Sequence, residues 1–110
     1  MAVSKPLQEA VRKSAVFAKQ TGESKIETEH LLYGMLSVNS KASQIFASFG
    51  IQANSYKKVI LSYLKPKTIQ SAEPVDYSKT VTSIFAKTTN FCKKTGRDLL
   101  EIEDVLYVLL

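Results

Sequence analysis

The chain has 110 residues, 45% of them hydrophobic and 23% charged, and a formal net charge of +5 from 15 Lys and Arg against 10 Asp and Glu. That suits a single small domain, and no stretch approaches the roughly 20 apolar residues a bilayer span needs. Cys92 is the only cysteine, which excludes an intramolecular disulfide. Since Met1 to Leu7 also lacks the apolar run of a secretory signal, a cytoplasmic protein with a buried, reduced thiol is expected.

Apolar residues recur with helical spacing along nearly the whole chain. Leu7, Ala10, Val11, Ser14 and Ala18 share one face of a first helix. Ser4 is placed to cap it, Pro6 is tolerated in its first turn, and Gly22 ends it. A second helix starts at Thr28, whose hydroxyl can cap it, with Glu29 at the positive end of the dipole and Leu31, Leu32, Met35 and Leu36 as its stripe. Ser40 is the expected cap of a third helix carrying Ala42, Ile45, Phe46 and Phe49 on its buried face and ending at Gly50. Asn54 is the expected cap of a fourth, with Tyr56, Val59, Ile60 and Tyr63 turned inward. Residues 65–76 hold Pro66 and Pro74 with little apolar content and read as a linker. Helical spacing resumes with Val81, Ile84, Phe85, Thr88 and Cys92, closed by Gly96. A last helix begins near Ile102 and carries Val105, Leu106 and Leu109. No sustained β-type alternation occurs.

Shifted by 74 positions, the sequence matches itself without a gap. Ser4 falls on Ser78, Leu7 on Val81, Phe17 on Phe91, Thr21-Gly22 on Thr95-Gly96, Glu27 on Glu101, Glu29 on Glu103 and Leu32-Tyr33 on Leu106-Tyr107. The register spans two helices and the loop between them, which indicates duplication. The reading is an all-α domain over 1–110: a first repeat at 3–64, the linker at 65–76, and a partial second repeat at 77–110. The second copy looks cut before its own third and fourth helices. Uncovered apolar surface is then expected, and with it either self-association or only marginal stability.

Little in the sequence supports chemistry. There is no Gly-x-x-x-x-Gly-Lys-Ser/Thr phosphate loop, and His30, the only histidine, lies far from the only cysteine. No catalytic residues, metal or cofactor are expected. His30 reads as a structural residue near a helix start or as a partner contact. Tyr33 and Tyr107, matched by the repeat, read as exposed partner contacts or as packing between the copies. Lys41, Lys57, Lys58, Lys65 and Lys67 occupy a stretch without an acid. They form a solvated face or, less in keeping with a basic set of nearly all lysine, a nucleic-acid surface.

The segment Thr21-Gly22-Glu23-Ser24-Lys25-Ile26-Glu27-Thr28-Glu29-His30-Leu31-Leu32-Tyr33-Gly34-Met35-Leu36 resembles the Clp N-terminal repeat, whose pattern is a helix-ending glycine, a short loop and Thr-Glu-His-(apolar)-Leu-x-Gly-Leu. Phe46-Ala47-Ser48-Phe49-Gly50-Ile51 resembles that family's next landmark. The second copy departs from it, with Ile102-Glu103-Asp104 for Thr-Glu-His and Val108 for the glycine. The resemblance implies tandem four-helix Clp repeats that dock protein substrates or adaptor proteins on a hexameric AAA+ unfoldase paired with a Clp peptidase, most like the ClpC or ClpA type. For the ClpC branch it further implies a receptor for phosphorylated arginine. Glu29 and Glu103 then contact the guanidinium and Thr28 the phosphate, while Ile102 offers no hydroxyl. A freestanding Clp-repeat adaptor without a motor is the alternative. Without the resemblance, Thr28 and Glu29 are accounted for by capping and by the helix dipole.

Overall fold

A computed structural model describes residues 2–38, 42–65 and 75–109. Its helices are α1 (Lys5–Gln20), α2 (Thr28–Leu36), α3 (Ala42–Ser48), α4 (Ala53–Tyr63), α5 (Lys79–Lys94) and α6 (Ile102–Leu109). Local chemistry sets most of their ends. The Ser4 hydroxyl accepts from the Leu7 N–H at 3.3 Å, and its repeat mate Ser78 accepts from Val81 at 3.1 Å. Gly22 and Gly96 follow α1 and α5 with φ of 75° and 74°, a left-handed turn that a side chain would resist.

Two expected caps are corrected. α2 does begin at Thr28, but Glu27 occupies the capping position, and the His30 ring accepts its backbone N–H at 2.9 Å. Thr28 is therefore already inside the helix. α4 begins at Ala53 with Gln52 before it, so Asn54 lies in its first turn. The Ser40 cap and most of the linker, 66–74, fall outside the described residues.

Among the described residues a little β-structure joins the helices, too short to show as alternation. Four two-residue strands form two parallel bridges: β1 (Ala2–Val3) with β4 (Leu99–Leu100), and β2 (Lys25–Ile26) with β3 (Asp76–Tyr77). Asp76, expected at the end of the linker, is thus a strand residue. The bridges are themselves related by the repeat. In each, the segment entering one copy's first helix pairs with the loop between the other copy's first two helices, so the copies clasp each other twice.

The core joins both copies. Leu7, Ala10, Leu31, Met35 and Phe46 pack in one cluster with Val81, Cys92, Ile102, Val105 and Leu106. α1 and α2 approach so closely at Gly34 that a Cβ there would overlap the Ser14 hydroxyl and the Ala10 carbonyl oxygen and lie 3.0 Å from the Ser14 amide nitrogen. The second copy carries Val108 at that point, where it is half-buried. Three residues expected inside are outside: Phe49 is 66% exposed, Val59 49% and Tyr63 81%. They do share faces with Phe46 and Ile60, which are buried, but those faces extend beyond what the rest of the structure covers.

Candidate functional site

The loops that end in Glu27 and Glu101 turn the chain from a first helix into a second. Each leaves a backbone N–H at the turn that needs an acceptor. In the first copy the acceptor is His30 Nδ1 at 2.9 Å from the Glu27 nitrogen; in the second it is Asp104 Oδ2 at 2.9 Å from the Glu101 nitrogen. His30 is fully buried and Asp104 is 3% exposed. The rest of each group is also engaged. His30 Nε2 lies 3.0 Å from Thr21 Oγ1, which donates its own proton to the Ala18 carbonyl at 3.0 Å, while Asp104 pairs with Arg97. The Phe17 ring meets the imidazole edge-on at 5.4 Å. Burial pushes the His30 pKa below its ordinary 6.5, against the raising effect of Glu23, Glu29 and Glu27. His30 thus holds the helix start in place and is withdrawn from any surface contact. The loss of His at Asp104 keeps the same capping role with a different acceptor.

The residues that follow these caps face outward. Glu29 is exposed and Glu103 half-buried; among the described residues neither side chain takes part in a hydrogen bond or an ion pair. Each lines an apolar groove. Glu29 stands with Tyr56, Val59, Ile60, Tyr63 and Leu64 at a groove of about 470 Å³ between α2 and α4. Glu103 stands with Ile45, Ser48, Phe49 and Tyr107 at one of about 520 Å³ between α3 and α6. Repeat-related carboxylates therefore occupy similar settings built from different walls. Thr28 is half-buried in the first turn beside Glu29, and Ile102, its mate, is 1% exposed.

The two tyrosines differ. Tyr33 is half-buried, stacked on Phe17 at 4.2 Å and 22°, and the Lys57 ammonium lies 5.0 Å from its ring centre. It borders a different hollow from Glu29, with Arg12, Lys13 and Val16. Tyr107 stacks on Phe91 at 5.7 Å and 14° but is 75% exposed, and it shares the Glu103 groove. Glu103 and Tyr107 thus line one groove, whereas Glu29 and Tyr33, one turn apart on α2, border different hollows. The groove walls from α3 and α4 were not foreseen as binding surface: periodicity put Phe49, Val59 and Tyr63 on buried faces, and their exposure emerges only in the fold. A third cleft, about 370 Å³, runs between the copies and is lined by Val3, Leu7, Val11, Tyr77, Phe85 and Leu100 among others.

Among the described residues no three His, Cys, Asp or Glu side chains gather to hold a metal, and no helix is long and apolar enough to cross a membrane. Helical repeats clasped to each other, with apolar grooves rimmed by single carboxylates, define a helical binding module. The family profile of the Clp repeat (R) N-terminal domain matches residues 2–110, and the chain belongs to that family. It is 26% identical over 106 residues to Chaperone protein ClpB of Bacteroides thetaiotaomicron, covering 94% of this chain and 12% of that protein. It is 28% identical over 100 residues to Chaperone protein ClpB 2 of Synechocystis sp., covering 89% of this chain and 12% of that protein. The chain therefore spans about an eighth of the length of these relatives. The fold is that of the Hsp104 N-terminal domain from Candida albicans, with a TM-score of 0.78 at 10% identity, covering 99% of this chain and 73% of that one. The expected all-α Clp-repeat architecture is borne out.

Proposed function

We propose that this chain is a docking domain of a Clp-type AAA+ unfoldase, which holds segments of protein substrates or adaptors for an ATP-driven hexamer that passes them on, in a peptidase pairing, to degradation. It works by binding without chemistry. The observation that carries this reading is the pair of apolar grooves, each rimmed by one of the repeat-related carboxylates Glu29 and Glu103. An apolar wall with one negative group suits a segment in which an arginine or lysine is flanked by apolar side chains. A carboxylate takes guanidinium through two parallel hydrogen bonds, and open tyrosine faces attract cations.

Phosphoarginine is the finer reading, favoured by Thr28 standing beside Glu29 at the start of α2, where a hydroxyl and first-turn N–H groups suit a phosphate. Ile102 lacks the hydroxyl, so this reading singles out the first copy. The relatives that match are ClpB chaperones, so a ClpC-like role in recognising phosphoarginine rests on these side chains alone.

Calorimetric titration of the chain with an arginine-containing apolar peptide, and separately with phosphoarginine, tests both. Losing a charge-assisted bond worth about 1.5–3 kcal/mol weakens binding roughly 10- to 100-fold in Glu29→Ala or Glu103→Ala. Peptide affinity unchanged in both variants refutes the groove reading. Absence of heat with phosphoarginine removes the finer one.

A further inference from the structure

We propose that His30 makes the start of α2, and with it the Glu29 groove, responsive to mild acid, while the Asp104–Arg97 pair leaves the Glu103 groove unresponsive. The significance for docking rests on the function proposed above; the structural response does not.

The two copies solve one problem with different chemistry. Both place a buried acceptor three residues after the turn, at the same 2.9 Å from the backbone nitrogen it caps. In the first copy that acceptor works only as a neutral ring of one tautomer. Thr21 Oγ1 gives its proton to Ala18, so it must accept from Nε2–H, and the lone pair then lies on Nδ1, where the Glu27 N–H points. A proton taken from solvent at Nδ1 sets two donors against each other across the cap and leaves the Glu27 N–H without an acceptor. It also puts a charge in a fully buried position. The relief is to open the first turn of α2, which carries Glu29.

The charged groups around the ring are Glu23 and Glu27 of the loop and Glu29 of α2 itself, and all three oppose the effect of burial. α1 presents Phe17 and Thr21, neither of them charged. Burial prevails, so the closed form binds the proton more weakly than the open one. As pH falls below about 6.5 the ratio of open to closed rises, by up to about tenfold per pH unit until the closed ring itself titrates. In the second copy, Arg97 stands where the first has Glu23, and a carboxylate paired with a guanidinium accepts the Glu101 N–H. That cap holds no imidazole, and a carboxylate oxygen accepts the N–H without needing one ring tautomer, so no ring nitrogen there can take up a proton.

The test is nuclear magnetic resonance of the chain between pH 7.5 and 5. The Glu27 amide should move with the His30 ring, with a midpoint below 6.5, while the Glu101 amide stays still. The double variant Glu23→Arg/His30→Asp transplants the second cap into the first, and its Glu27 amide should stay still as well. Two amides that move together, or a still Glu27 amide in the unaltered chain, overturns the proposal; so does a double variant that responds like the parent. If the double variant fails to fold, the two amides of the unaltered chain decide alone. No ligand enters these measurements, so their outcome is independent of the docking reading. With the apolar arginine peptide, affinity read in Glu103→Ala should fall up to about tenfold from pH 7.5 to 5.5 and stay level in Glu29→Ala. Equal pH dependence in both overturns the link to the groove.

Discussion

Replacing Gly34 by alanine sets two effects of opposite sign against each other. Gly34 lies inside α2, where alanine favours the helix by about 1 kcal/mol. Its missing Cβ, however, is where α1 passes. The added carbon would fall closer than 3.0 Å to both the Ser14 hydroxyl oxygen and the Ala10 carbonyl oxygen. A serine rotamer can shift, at the loss of its 2.7 Å bond to Ala10, but a helix carbonyl cannot move without its helix. Ala10 and Ser14 are both fully buried, so α1 has no slack on that side. Overpacking of this kind costs about 1–3 kcal/mol, and contact with backbone puts it at the upper end. Against the gain in propensity, the net loss is about 2 kcal/mol, which lowers Tm by roughly 8–16 °C in a domain of this size. Thermal and urea unfolding followed by circular dichroism measure it. Adding Ser14→Ala should restore only part of the loss, because the Ala10 carbonyl remains in the way. A Gly34→Ala protein as stable as the parent would refute the close approach.

Phe17→Ala should cost about 3–5 kcal/mol in urea unfolding, since the ring is 3% exposed. Its repeat mate Phe91, 36% exposed, should cost roughly half of that on truncation. Thermal stability should be highest above about pH 6.5 and decline below it: the folded His30 pKa lies under the unfolded value of 6.5, so the unfolded chain takes up the proton first. His30→Gln should flatten that slope even if it lowers stability throughout. The Cys92 thiol, fully buried, should react with a thiol reagent only as fast as the chain unfolds, and readily in urea.

The features legible in the sequence are those set by a few neighbouring residues. Ser4 and Ser78 cap as serine does at the start of an apolar stripe, and Gly22, Gly50 and Gly96 take the left-handed turns that end helices. The repeat located Glu29 and Glu103 because it compares positions rather than chemistry. The same register paired His30 with Asp104. However, nothing about an imidazole and a carboxylate in sequence says that both accept one N–H. Thr28 looked like a cap because its hydroxyl suits the task; the actual acceptor, His30, sits two residues on, and only the folded loop brings it round. Periodicity placed Phe49, Val59 and Tyr63 on the faces of Phe46 and Ile60, but a period says which residues share a face, not how far a neighbour extends over it. The two bridges were invisible because two residues have no period, and their partners lie in the other copy.

Those bridges impose an order on how the chain comes together during its synthesis. Lys25–Ile26 can find its partner once Asp76–Tyr77 has been made, whereas Ala2–Val3, made before Lys25–Ile26, must wait for Leu99–Leu100. At about 5–20 residues per second, that wait lasts on the order of 5–20 s. The inner bridge can therefore form before the outer one, so the strand made earlier is the one secured later.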